Sequence, residues 1–360
     1  MADPSLMPDP KRILLVRPSA LGDVCRTVPV LAALRTAFPR ARIDWLVQDS
    51  FVDAVASHPA LTAHGGGVLP FPRKRFGRLW NPKIALELAQ WLDALNAAHY
   101  DLAIDAQGLL RSAIFTGFSG AGTRIGYSNA REAGRLAYTH AVYAPPDWHA
   151  VGRMLHLLTP LGISVPHPDM RLYAPPAARD AVASDARFGG RFAVFAPTTR
   201  WPSKQWPAGR FVDLARGLLD GGQVDRVVLV GARGEEPQCA ELLTWAGSEP
   251  RAVNLIGQTT LGELMAVIGR SAILIGSDSA AVHIAVGFGR PLVALYGPTV
   301  AAFVGPFGRD GDVISRVHPG EVRDHKADEP GGTQMARITT QEVLGACKAR
   351  LGVHAGVGTD

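Results

Sequence analysis

The stretch RILLVRPSALGDVCRTVPVLAALRTAFPRARIDWLV, residues 12–47, decides the fold class. RILLVR (12–17) is a short apolar run that reads as a strand, and PSALGD after it is a turn containing Gly22. From there Val24, Val28, Leu31, Leu34 and Phe38 recur at helical spacing, and ARIDWLV (41–47) is a second strand. Strand, loop, helix, strand is the repeating unit of a parallel sheet covered by helices.

Outward from this stretch the unit repeats. Tyr100–Ala106 reads as another strand running into Gly108. RLYAPPAARDAVASDARFGG (171–190), rich in Ala, Pro and Gly, is expected to hold the linker, and beyond it the pattern restarts. FAVFAP (192–197), RVVLVGA (226–232), AILIGSD (272–278) and PLVALYG (291–297) read as strands, with helices near 207–219 and 261–269. Residues 316–334 are polar and irregular, and residues 340–351 read as a closing helix. At 360 residues, this predicts two facing Rossmann-like domains, 1–175 and 176–360, with ligands between them at the carboxyl ends of strands.

Composition excludes several classes. A 47% apolar content supplies real cores and argues against disorder. Cys25, Cys239 and Cys347 are too scattered for a zinc ribbon or a disulfide scaffold. No apolar run reaches the roughly 18–20 residues of a spanning helix, and MADPSLMPDPKR does not resemble a signal peptide, so we expect a soluble cytoplasmic protein. The net charge of +5 lies wholly in residues 1–180, which carry 19 Lys/Arg against 14 Asp/Glu, whereas residues 181–360 carry 18 of each. Arg73, Lys74, Arg75 and Arg78 form the densest basic cluster. It reads either as a solvated loop or as a surface for an anionic partner or membrane. No basic helix, zinc finger or aromatic RNA-binding signature is present, so nucleic acid is not the expected partner.

Four loops that follow strands hold the candidate chemistry. Asp23, near a helix start, is either a cap or a carboxylate able to accept a proton. Thr198, Thr199, Arg200 and Lys204 offer hydroxyls and cations to a diphosphate, without the glycines of a P-loop. Ser277-Asp278-Ser279-Ala280, followed by His283, opens another helix, where Asp278 could equally be the cap and His283 a structural residue. In GARGEE (231–236) an acid is placed to hydrogen-bond a ribose.

Together SALGDVCRTVPVLAALRTAFPRARIDWLV, IDAQGLLRSA, APTTRWPSKQWP and GSDSAAVHIAVGFGRPLVALYGPT resemble glycosyltransferase family 9, the ADP-heptose:lipopolysaccharide heptosyltransferases, most closely its heptosyltransferase I members. The likeness runs from about Arg12 to Thr299. It implies a GT-B fold and an inverting, metal-independent transfer of heptose from ADP-heptose, with no cofactor. The acceptor implied is a Kdo or heptose hydroxyl of nascent lipopolysaccharide core, an anionic glycolipid. The resemblance puts the catalytic base on Asp23, the diphosphate contacts on Thr198, Thr199 and Lys204, and the ribose contact on Glu235. It puts the rest of the donor loop on Asp278, Ser279, Ala280 and His283, and the acceptor contacts on Arg73, Lys74, Arg75, Arg78 and Arg131. Lys204 would also stabilise charge on the departing ADP. With the basic half, a lipid-linked acceptor leads us to expect peripheral contact with the cytoplasmic face of the inner membrane.

Three departures from the family pattern stand out. One extra residue separates Thr199 from Lys204, Gly152 replaces a common Glu, and Ala280 replaces the usual Gly. Two alternatives remain from the residues alone: a GT-B enzyme, an epimerase included, with another nucleotide sugar, or a non-catalytic sugar-nucleotide-binding protein.

Overall fold

Ile13, Leu14, Leu15 and Val16 are all fully buried, because helices cover both faces of the strand that contains them. That strand, β1 (Arg12–Val16), pairs in parallel with β2 (Arg42–Gln48) and β4 (Leu102–Asp105). Ile13 lies opposite Ile43 and Leu102, and Val16 opposite Leu46 and Asp105. The structure is a computed structural model that describes residues 9–77, 80–321, 324, 326 and 333–354. Arg78, one of the basic residues expected to meet an acceptor, lies outside the described residues.

The chain divides into two compact units that part between Tyr173 and Ala174. In the first, β3 (Gly67–Phe71), β5 (Thr123–Tyr127) and β6 (His140–Val142) complete a six-stranded parallel sheet in the order β3-β2-β1-β4-β5-β6. The second holds β7 (Phe192–Ala196), β8 (Arg226–Leu229), β9 (Ala252–Asn254), β10 (Ile273–Ser277), β11 (Leu292–Tyr296) and β12 (Val313–Ser315). Their order, β12-β11-β10-β7-β8-β9, is the same topology. Each chain half winds outward from its first strand and then returns to that strand's other side. The direction therefore reverses between β1 and β4, and again between β7 and β10. Loops leaving two such neighbouring strands diverge and leave a crevice at their carboxyl ends.

Each unit has its own core. Phe71, Phe76, Leu95 and Phe115 pack beside Leu14 and Val16 in the first. Phe195, Trp206, Phe211 and Leu218 pack with Val343 and Cys347 of the closing helix, Thr340–His354, in the second. Trp206 Nε1 donates to the Ile338 carbonyl at 2.9 Å, which anchors the approach to that helix. All three cysteines are free and buried. Among the described residues no helix is long and apolar enough to cross a membrane.

The division between Tyr173 and Ala174 falls inside 171–190, the segment expected to hold the linker, and the rest of that segment carries a helix, Pro176–Ser184, and a 3₁₀ turn, Ala186–Phe188. Pro176 starts that helix and alanines propagate it, so the composition that suggests a spacer suits a helix equally well. Val182 supplies the buried contact, and its carbonyl accepts from Arg270 Nη1 at 2.9 Å.

Candidate active site

Asp23 is the third residue of the helix Leu21–Ala37, which leaves β1 through residues 17–20. Arg17, the residue after β1, donates to its Oδ2 at 2.6 Å, and Arg26, one turn on, donates to Oδ1. The side chain also takes a long 3.4 Å hydrogen bond from the Ala20 N–H, so it caps the helix as well. Burial alone would raise its pKa, but the charges and hydrogen bonds of Arg17 and Arg26 outweigh that. They hold the carboxyl well below the usual range. Asp23 is therefore ionised at neutral pH, and both neighbouring cations suppress its basicity.

The opposite side of this switch point is built by Asp105, the last residue of β4 and completely buried. Its Oδ1 accepts from the Gln107 and Gly108 amides at 2.8 and 3.0 Å, and its Oδ2 from the Tyr138 hydroxyl at 2.7 Å. Gly108 takes φ +72°, where a side chain would also strike the Tyr127 ring. Gln107 in turn accepts from the Ser19 N–H at 3.2 Å and so ties the β4 loop to the β1 loop. Between these loops lies a cavity of about 440 Å³, lined by Arg17, Asp23, Gln107, Tyr127, Arg131 and Arg153 among others. The Arg153 guanidinium lies over the Tyr127 ring, 5.6 Å from its centroid. One carboxylate among several arginines makes this an anion-attracting pocket.

Of the expected acceptor residues, Arg131 lines that cavity. Arg73, Lys74 and Arg75 do not; they sit on a separate exposed turn, Arg73–Phe76. There Arg73 donates to Gln48 at 3.2 Å, and Arg75 forms two 2.6 Å bonds to Glu87.

In the second unit the same topology brings together the loops after β7 and β10. Lys204 ends a 3₁₀ turn, Pro202–Lys204, and its Nζ donates to Asp278 Oδ2 at 2.6 Å. Burial would raise the Asp278 pKa, but the charge and hydrogen bond of Lys204 prevail, with a smaller contribution from His283, and the result is a lowered value. Asp278 is not a helix cap. That position belongs to Ser279, which precedes the helix Ala280–Gly287. His283 is buried on that helix. The hydroxyls of Ser277 and Ser279 are buried and meet no hydrogen-bond partner among the described residues. A helix start, a serine hydroxyl and a lysine at one switch point can hold an anion.

The two threonines are more committed than their sequence suggests. Thr198 donates to Glu235 Oε2 at 2.6 Å, and Thr199 donates to the Trp201 carbonyl at 2.7 Å. Glu235 also accepts from the Ala232 N–H at 2.8 Å, which stitches the β8 loop to the β7 loop. A Cβ at Gly231 would lie 2.7 Å from Thr198 Oγ1, so glycine is what allows this approach. Arg200 is exposed and stacks over Trp201 at 5.3 Å. Among the described residues no group of three His, Cys, Asp or Glu side chains is placed to hold a metal.

The family description glycosyltransferase family 9 (heptosyltransferase) matches residues 89–331. Lipopolysaccharide heptosyltransferase 1 of Pseudomonas aeruginosa is 32% identical over 315 residues, covering 86% of this chain and 83% of its own. The chain belongs to glycosyltransferase family 9. Lipopolysaccharide heptosyltransferase 1 of Escherichia coli K12 is 28% identical over 83% of this chain and 92% of its own. The solved structure of E. coli heptosyltransferase WaaC with ADP-2-deoxy-2-fluoro heptose superposes with a TM-score of 0.73 at 26% identity, covering 94% of this chain and 99% of the other. This family 9 member is thus an α/β protein of the GT-B fold and a glycosyltransferase.

Several residues of this heptosyltransferase-family site escaped the sequence reading. Arg17 looks like the end of a strand, yet it is the first residue beyond β1, where ligands collect. Gln107 and Gly108 follow β4 in the same way. Arg26, Arg153 and Gln238 carry no local signal. Gln238 accepts from the Thr199 amide at 3.1 Å and from Gln205 at 2.8 Å only because the chain folds back.

Proposed function

We propose that this glycosyltransferase moves heptose from ADP-heptose to a hydroxyl of an anionic, lipid-linked saccharide of the lipopolysaccharide core. The second unit holds the donor and the first the acceptor. Asp23, an ionised carboxylate set in an arginine-lined cavity, carries the reading. It takes the acceptor proton as the hydroxyl attacks the anomeric carbon, and displacement from the face opposite ADP inverts that centre. Lys204, Ser279 and the helix-start amides after Asp278 offset the charge growing on the departing diphosphate. A divalent ion is not needed for that role. Glu235 receives a ribose hydroxyl.

The Arg17 and Arg26 pairs make Asp23 a weak base in the free enzyme. An anionic acceptor resolves this, because its carboxylate competes for Arg17 and returns basicity to Asp23 when the substrate arrives. Names of relatives support the substrate class, since the P. aeruginosa and E. coli proteins are lipopolysaccharide heptosyltransferases. A nucleotide donor and a lipid-linked acceptor put the reaction at the cytoplasmic face of the inner membrane.

Incubation with ADP-heptose and a Kdo-containing acceptor tests the reading. A product heavier by one heptose, with inverted anomeric configuration by NMR and undiminished yield in EDTA, is expected. Tighter binding of UDP than ADP, or no transfer, would discard the heptose assignment.

A further inference from the structure

Beside the Asp23 cavity the first unit carries a second, apolar one of about 550 Å³. Its floor is aromatic: Phe71, Phe76 and Phe115 are nearly fully buried, with the Phe71 and Phe115 rings 4.7 Å apart. Its rim is apolar but open to water, with Trp80 82%, Leu110 45% and Ile114 41% exposed. Soluble proteins seldom leave such side chains together in water without a use for them. At the mouth, Arg111 extends its guanidinium over the Phe71 ring at 6.0 Å, and exposed Lys74 lies on the turn that contributes Phe76. An apolar trough whose lining sets Arg111 beside Glu132, with exposed Lys74 on the adjoining turn, suits an alkyl chain whose anionic head meets the two cations.

The trough also shares a wall with the Asp23 cavity. Gly108 and Arg131 line the latter, whereas Leu110, Arg111 and Glu132 line the former. The two segments are tied by the Arg131 N–H to the Gly108 carbonyl at 3.0 Å and by the Leu110 N–H to Glu132 at 3.2 Å. We propose that this trough seats one acyl chain of the glycolipid acceptor while its sugar occupies the neighbouring cavity. The proposal rests on the acceptor reading above. The site is concave, with its aromatic floor beneath the rim. That shape suits a single inserted chain better than a flat bilayer surface.

The test compares one acceptor with and without its acyl chains, for wild type, Ile114→Glu and Trp80→Ser, both on the exposed rim. For wild type, KM for the acylated acceptor should be at least ~10-fold lower, the worth of a few buried methylenes. Both variants should abolish that advantage and leave kcat/KM on the deacylated acceptor unchanged. Equal wild-type KM values for the two acceptors, or variants that keep the advantage, would overturn the proposal. So would loss confined to co-sedimentation with anionic vesicles, which would make the patch a bilayer contact. Should wild type transfer heptose to neither acceptor, the function reading fails and the trough is judged separately. Dodecyl phosphate should then shift tryptophan emission to the blue in wild type, as Trp80 leaves water, and not in Ile114→Glu, and an equal response in both would reject the site.

Discussion

Lys204 Nζ lies 2.6 Å from Asp278 Oδ2, which joins the loop after β7 to the loop after β10 at the point where the second sheet reverses direction. Both side chains are only 14% exposed, so the pair is well shielded from solvent. Asp278 holds the ammonium in place, and Lys204 keeps the carboxylate ionised. Lys204→Ala should lower kcat by about 10²–10³, the usual cost of losing one preorganised charge partner of a leaving group. It should also weaken ADP binding by titration calorimetry. Unchanged ADP affinity and turnover would remove Lys204 from the donor site.

Asp23→Asn should lower kcat by about 10²–10⁴, the range of a positioned general base, with ADP affinity unchanged. It should also lose about 2–3 kcal/mol of stability, because Arg17 and Arg26 then face each other without a counter-charge. That is less than for a wholly buried pair, since 27% of the Asp23 side chain is exposed. Activity should therefore be read well below the unfolding transition. Arg17→Gln provides the complementary measurement. With one cation removed, the Asp23 pKa rises, and the acid limb of the kcat/KM profile should move to higher pH. A profile identical to wild type would mean that another group accepts the proton.

Gly231→Ala should fold and yet bind ADP about 10-fold more weakly. The new methyl displaces Thr198 from Glu235, and a hydrogen bond to a charged group is worth about 1.5–3 kcal/mol. Calorimetry with ADP checks this, and an unchanged affinity would show that the Thr198–Glu235 bond is not used in nucleotide recognition.

His58 provides a stability test independent of catalysis. It is buried against the Tyr173 ring, 4.9 Å between centroids, and its Nδ1 accepts from the Ala60 N–H. Burial pushes its pKa down to about 4, against the favourable charge of Asp169. Because the folded value is depressed, its stabilisation is complete above the unfolded value of about 6.5 and is lost as pH falls towards 4. About 3 kcal/mol should disappear across that window in denaturant titrations. His58→Asn keeps an acceptor for Ala60 and should flatten the dependence.

Much of the fold was legible because its strands are buried on both faces and read as unbroken apolar runs. β1, β7, β10 and β11 are of this kind, and β2 departs from it at its buried Asp44. The three-residue edge strands β6, β9 and β12 were not legible, since so short a run carries no period. The helix in the 171–190 segment was hidden because alanine serves spacers and helices alike. At the site, the loops were identifiable as those that follow strands, and the acids Asp23, Glu235 and Asp278 could be named from the family pattern.

The sequence by itself determined two parallel α/β halves, the candidate loops that follow their strands, and the family. Only the tertiary structure decided what each charged group faces. Arg17 and Arg26 converge on Asp23 because one directly follows a strand and the other lies a helical turn beyond the acid. Lys204 meets Asp278 across 74 residues because β7 and β10 are neighbours in the sheet. It also separated Arg131, at the Asp23 cavity, from Arg73 and Arg75, which bind Gln48 and Glu87 elsewhere. Charge acts through space, and the distances that set basicity and affinity exist only once strand order has been chosen.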